Sequence, residues 1–308
     1  MKSDWVAACV RARSMAQRRV GAGSSLELAA EPTLAAALAA LAPTYYAERL
    51  HGVSNLAAAE RAISETVLWQ LRVLAGWLPG TGTALARATA GTFEIENIVA
   101  LAHQLDGGTA AAEPYRLGAL ATAWPRLGQA DSRERLAALL RTSAWGDVGG
   151  GGPGQLRAAL TVSWVRRLAA VAPPAQQWRG VACVLAAARS LGPDGVSAAP
   201  QLLHLLRPVL GREWEGTRNI ADFRASLPPS LQKVVRDLVS PQELWRVEAR
   251  VHGQVEADGF RLLHDSLPGP DVVLGAIVVL SIDAWRVRAA LAAAASGAGQ
   301  SEVLDEAA

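Results

Sequence analysis

A chain of 308 residues exceeds what one hydrophobic core usually serves, so a repeated or multi-lobed architecture is expected. Hydrophobic residues make up 51% of it, many of them alanine, while aromatics are 5% and charged residues 19%. Alanine has the highest helix propensity, so this composition predicts an all-α fold, and the low charge content predicts extensive buried or shared surface. A net charge of +2, from 30 basic and 28 acidic side chains, argues against a general nucleic-acid binder.

In chain order, residues 4–19 read as a helix, apolar on one side and studded with Arg11, Arg13, Arg18 and Arg19 on the other. These arginines read as a solvated face, with a lipid-headgroup or partner patch as the alternative. Ser24-Ser25-Leu26-Glu27 offers a helix start, and Glu31-Pro32 leads into the leucines of 33–38. Pro43 opens the stretch Tyr45–Leu50, which His51-Gly52 closes. A long helix is predicted over 54–78, with Ile63, Val67, Leu71 and Leu74 recurring at intervals of three and four. Pro79-Gly80-Thr81-Gly82 ends it, and a further helix carries Phe93 to Leu101 up to Asp106-Gly107-Gly108.

The middle third is punctuated by Pro114, Pro125 and the run from Gly149 to Gly154, a flexible loop by composition. Between the breaks lie helices over 131–141, 156–171 and 176–191, stopped by Pro173-Pro174 and then by Gly192-Pro193. Further helices are predicted over 200–210, 230–238 and from Ser240-Pro241-Gln242-Glu243 to Leu263, with Ser240 as capping residue. Residues 271–295 read as one long helix or a kinked pair, and everything from Gly297 on as a fraying tail.

Chemistry-bearing motifs are few. Cys9 and Cys183 lie far apart, outside any Cys-x-x-Cys pair, and read as small buried apolar residues of a reducing cytoplasm. The five histidines show no metal-ligand spacing, Gly80-Thr81-Gly82-Thr83 lacks the following lysine of a nucleotide loop, and no nucleophile elbow occurs. Glu94 and Glu96 face different sides of a helix and make poor acid–base partners. No catalytic residue, metal ligand or cofactor is therefore expected. The first residues show no signal-peptide pattern, and the longest apolar run, Val272–Leu280, is half the length needed to cross a bilayer.

Three segments share a weak pattern in which an acidic or bulky position begins a small-residue-rich helix that ends in glycine. They run from Glu94 to Gly107, from Gln177 to Gly192 and from Asp283 to Gly297, and their spacing of roughly a hundred residues predicts three related helical lobes. The expected lobes are residues 1–108, 109–199 and 200–297, followed by a disordered tail over 298–308.

Four places then resemble the C subunits (subunit d in eukaryotes) of V/A-type rotary ATPases. They are Trp5 to Arg13, Leu34 to Leu41 with Thr44-Tyr45-Tyr46, Phe93-Glu94-Ile95-Glu96-Asn97-Ile98, and Val273 to Leu280 through Arg286-Val287-Arg288. Their order spans the chain, while residues 110–260 are similar to the family only in outline. Trp178-Arg179 and Trp285-Arg286 depart from the family pattern.

The resemblance implies three helical lobes arranged as a pseudo-threefold funnel. It implies a non-catalytic rotor adaptor, peripheral on the cytoplasmic face of the membrane, that links a proteolipid ring to the central shaft of the ATPase head. Torque would pass through it during proton or sodium transport, with no small-molecule substrate. The motif residues it marks are Arg11, Tyr45, Phe93, Glu94, Glu96, Asn97, Ile98 and Arg286. Phe93, Ile95, Ile98 and Leu101 read as core. Glu94, Glu96 and Asn97 read as interhelical hydrogen-bonding residues, with a solvated face as an evenly weighted alternative for Glu94. Trp69, Trp77, Trp164, Trp178, Trp245 and Trp285 read as core or lobe contacts, some of them as interface anchors. The competing readings are a stand-alone helical scaffold derived from this family that binds another partner, and an enzyme with a novel helical site.

Overall fold

The computed structural model of the protein describes residues 2–109, 113–149, 151–192 and 195–308. It is all-α. Among the described residues the only strand pairing is a two-residue antiparallel ribbon, Leu191–Gly192 with Gly195–Val196. The first helices are α1 (Val6–Gln17), α2 (Ala22–Ala29), α3 (Leu34–Ala40), α4 (Ala47–Leu50) and α5 (Leu56–Ala75). Next come α6 (Thr83–Thr89), α7 (Gly91–Leu105), α8 (Trp124–Leu127), α9 (Arg133–Arg141), α10 (Pro153–Val171) and α11 (Gln176–Arg189). The chain continues through α12 (Pro200–Leu210), α13 (Ile220–Ser226), α14 (Pro229–Gln232), α15 (Leu244–Leu263), α16 (Pro270–Ser296) and α17 (Glu302–Glu306).

Two compact units emerge. One joins Met1–Thr83 to Glu248–Ala308, and the other is Ala84–Val247. The first unit is discontinuous because α16 is apolar all round: Val272, Val273, Leu274, Ala276, Val279 and Leu280 are all buried. Such a helix is stable only when surrounded, and α1, α2, α3 and α5 supply the surround. Close approach is built in at Gly275, where a Cβ would lie 2.5 Å from both the Gly259 carbonyl oxygen and the Leu263 nitrogen of α15. In the second unit α10 is the central helix, packed against α7, α11 and α12.

Most helix boundaries fall where proline, glycine and capping residues put them. Thr33, Asn55, Ser132 and Asn219 cap α3, α5, α9 and α13 through side-chain oxygens. The long helix expected over 271–295 is one continuous element, Pro270–Ser296, of 27 residues, closed by Gly297 in the left-handed region at φ 67°.

Four expectations are corrected. Ser24-Ser25-Leu26-Glu27 lies inside α2, which starts at Ala22, and the Ser25 hydroxyl donates back to the Gly21 carbonyl at 2.8 Å. Ser240 makes no side-chain cap; a 3-10 turn over Pro241–Glu243 leads into α15. The helix over 230–238 is only α14 and a following 3-10 turn. Residues from Ser301 on are a packed helix in place of an open tail: Leu304 and Ala307 are buried, and Ser301 caps α17. The Pro193 stop and the Gly150 part of the expected loop lie outside the described residues. No described helix is long and apolar enough to cross a membrane.

Candidate functional site

Two fully buried carboxylates organise the molecule, one in each unit. In the second unit Glu94 sits on the first turn of α7, 1% exposed. Its carboxylate accepts the backbone N–H groups of Thr122 at 2.6 Å and Ala123 at 2.8 Å, together with the Trp145 indole N–H at 2.8 Å. Ala123 is the N-cap of α8, whose side chain cannot cap it. The carboxylate of another helix therefore fills that role, at the end of a helix where negative charge is favoured. Above this group the Arg167 guanidinium lies 4.7 Å from the Trp145 ring centroid and donates to the Thr122 hydroxyl at 2.8 Å. Burial pushes Arg167 below the usual arginine range, and the nearby Glu94 charge partly offsets that.

In the first unit Asp283 of α16 is wholly buried. Its Oδ1 accepts the Gly21 N–H at 2.7 Å and its Oδ2 the Val20 N–H at 3.2 Å. Gly21 is the N-cap of α2, and its φ of 85°, open to glycine, turns the two successive amides toward one carboxylate. The Tyr45 and Tyr46 hydroxyls reach the same Oδ2 at 2.8 and 3.0 Å and lie 2.6 Å from each other. Burial, then the neighbouring Asp283 charge, pushes the Tyr45 phenol well above its ordinary pKa; Tyr46 is raised by burial first, then by its neighbour Tyr45 and by Asp283.

The likeness extends beyond the carboxylates. After the Thr33 cap, Leu41, Thr44 and Tyr46 follow at eight, eleven and thirteen residues; after the Ser132 cap, Leu140, Ser143 and Trp145 follow at the same intervals. Thr44 Oγ1 donates to the Leu41 carbonyl at 2.7 Å and accepts the Tyr46 N–H at 3.3 Å. Ser143 Oγ donates to the Leu140 carbonyl at 2.7 Å and accepts the Trp145 N–H at 3.1 Å. Each hydroxyl thus folds the chain after a short capped helix so that an aromatic donor meets the carboxylate. A shortened third version follows Asn219, where Ser226 Oγ donates to the Phe223 carbonyl at 2.7 Å, one turn earlier.

The expected motif residues divide among separate places. Tyr45 joins the Asp283 group. Asn97 donates to the Tyr115 carbonyl at 2.9 Å and accepts the Tyr115 N–H at 2.7 Å, with Phe93 edge-on to the Tyr115 ring. Ile98 is core, whereas Phe93 is only partly buried. Glu96 faces outward and forms a two-pronged ion pair with Arg157. Arg286 is buried against Glu256, donating from Nε at 3.1 Å and from Nη2 at 2.7 Å. Arg11 has a buried Nε with no hydrogen-bond partner among the described residues.

The N-terminal arginines are not one solvated face. Arg13 donates to the carbonyls of Leu263 and Asp265, and Arg19 lies 4.6 Å from the Phe260 ring centroid. Trp69 and Trp77, read as core or contact residues, are 46% and 51% exposed, while Trp145 and Trp214 are fully buried.

Sequence reasoning singled out Glu94 and the Asp283 repeat position and quoted Tyr46 within the Thr44-Tyr45-Tyr46 motif, but missed Trp145 and Arg167. The matched spacing after Thr33 and Ser132 is the signal that would have found Trp145. Chemically, Glu94 accepts three hydrogen bonds and Asp283 four, from backbone amides and aromatic donors, so these groups position backbone and aromatic rings. Among the described residues no group of three or more His, Cys, Asp or Glu could hold a metal ion. In comparison with known proteins, no family model and no curated protein matches the chain.

Proposed function

We propose that the chain is a rotor adaptor of a V/A-type ATPase, a three-lobed helical plug between a proteolipid ring and the central shaft, on the cytoplasmic face of the membrane. The observation that carries the reading is the recurring carboxylate bracket. Glu94 of α7 ties down the start of the helix that follows it in the chain. Asp283 of α16, late in the sequence, ties down the corresponding start near the N-terminus. A last repeat that serves the first supports the reading of a closed series of lobes, and the pseudo-threefold funnel is part of the same proposal.

A torque-bearing adaptor needs stiffness under shear. Close-packed helices tied by buried carboxylates that each accept several hydrogen bonds supply it, because such groups specify one arrangement and are costly to separate. The resemblance at Trp5 to Arg13, Thr44-Tyr45-Tyr46, Phe93 to Ile98 and Val273 to Arg288 points to the same family.

The test is affinity purification of the tagged chain from membranes of its own cell in mild detergent, followed by identification of what accompanies it. Co-recovery of proteolipid and shaft subunits is the expected result. Recovery of the chain without them, while the intact motor from the same cells lacks it, would overturn the rotor reading in favour of a helical scaffold with a different partner.

A further inference from the structure

The segment that the composition marks as a fraying tail is seated in a specific groove. Leu304 and Ala307 are 1% and 3% exposed, held against α16 and α2. Gly253 of α15 forms a notch for the backbone: a Cβ there would lie 2.5 Å from the Ala307 carbonyl oxygen. Arg286 Nη2 donates to that same carbonyl at 3.1 Å, and Arg250 pairs with Glu306. The groove thus reads four features of a short helix: a leucine, a small residue three positions on, a carboxylate between them and a main-chain carbonyl at the end.

The attachment is lighter than the groove. A helix of five residues is far below the length that stands alone in water. Its connection to α16, residues 297–300, is exposed throughout and contains two glycines in the left-handed region, Gly297 at φ 67° and Gly299 at φ 69°. Arg286 is held from below by a second partner, the Glu256 carboxylate. Local opening of such a segment requires far less free energy than unfolding the unit beneath it.

We propose that residues 301–308 are a releasable plug, and that the groove formed by Arg250, Gly253 and Arg286 is a docking site for an acidic, leucine-bearing helical segment of a partner protein. The complementarity is electrostatic as well as steric. Of the three acidic residues of the plug, Glu306 pairs with Arg250 while Glu302 and Asp305 are exposed, and Arg286 contributes its hydrogen bond to the Ala307 carbonyl. A partner segment of the same chemistry displaces the plug by mass action. This inference stands independently of the rotor reading.

Two measurements on the full-length chain test it. In hydrogen exchange, the amides of Leu304, Asp305 and Ala307 should exchange at least about a hundredfold faster than those in the middle of α16; equal protection would overturn the idea that the plug releases. In the second, the Leu304→Asp variant empties the groove while keeping the chain length. A fluorescent peptide of residues 299–308 should bind this variant about tenfold more tightly than it binds the wild type, and adding Arg250→Glu should abolish the gain. No binding to a folded Leu304→Asp variant, or equal binding to variant and wild type, would sink the proposal. A concentration-dependent dimer of the wild type, lost in the variant, would make the occupant a second copy and overturn the partner assignment.

Discussion

The Glu94 and Asp283 groups perform the same task in different surroundings. Both carboxylates accept the N–H of a helix N-cap and of the residue before it, and both meet an aromatic donor delivered by a Thr or Ser turn. Glu94 has Arg167 close by, over the Trp145 ring. Asp283 is held by two amides and two phenols, with no salt bridge to it among the described residues. A buried anion can therefore be kept by a nearby cation or by enough well-aimed neutral donors, and the two solutions should fail differently.

The largest difference should appear on removing the acceptors. Asp283→Ala removes the shared acceptor of two amides and two hydroxyls, leaving the hydroxyls only each other, and should cost about 4 kcal/mol in urea unfolding followed by tryptophan fluorescence. A loss below about 1.5 kcal/mol would mean that the site collapses or admits water and is no keystone. Glu94→Gln keeps one accepting oxygen but deprives Arg167 of its neighbouring charge, for an expected loss of about 2.5 kcal/mol. Pairing it with Arg167→Met should return about 1 kcal/mol relative to additivity. Purely additive losses would show that the cation does not matter to Glu94, and the contrast between the two groups would vanish.

Alkaline pH probes only the tyrosine-held site. The Tyr45 and Tyr46 phenols are raised by burial, and Asp283 raises both further, so the native state keeps them neutral where the unfolded state ionises them. Their contribution is complete below the unfolded pKa of about 10 and is lost as pH rises beyond it, at about 1.4 kcal/mol per pH unit for each phenol. Ultraviolet titration should show these two phenols un-ionised while the chain stays folded, ionising together with unfolding. A smooth early titration of all three tyrosines would contradict the buried triad. The smallest effects concern the turns: Thr44→Val and Ser143→Ala should each cost about 1 kcal/mol. Matched values would support treating the two turns as copies of one device, and a several-fold disparity would separate them.

Much of this was legible in the residues. Capping side chains, Pro and Gly breaks and the 3.6-residue period located the helices, because these are local effects acting over one or two turns. The same period put Glu94 and Glu96 on different sides of α7, with Glu94 buried and Glu96 outside. The apolar run Val272–Leu280 was legible as too short to cross a bilayer, while its place as a surrounded helix came from the structure. The matched intervals after Thr33 and Ser132 were present in the sequence as well, though only the hydrogen bonds give them meaning.

What tertiary structure alone decided are the meetings across long stretches of chain. Asp283 finds Val20 across 263 residues, and Arg13 finds Leu263 across 250. Trp145 goes inside while Trp69 stays half exposed, and a small acidic tail becomes a seated helix. Periodicity tells a helix which face to bury; it carries no address for the partner. That address is set by which buried polar groups can be satisfied together once the apolar faces have met.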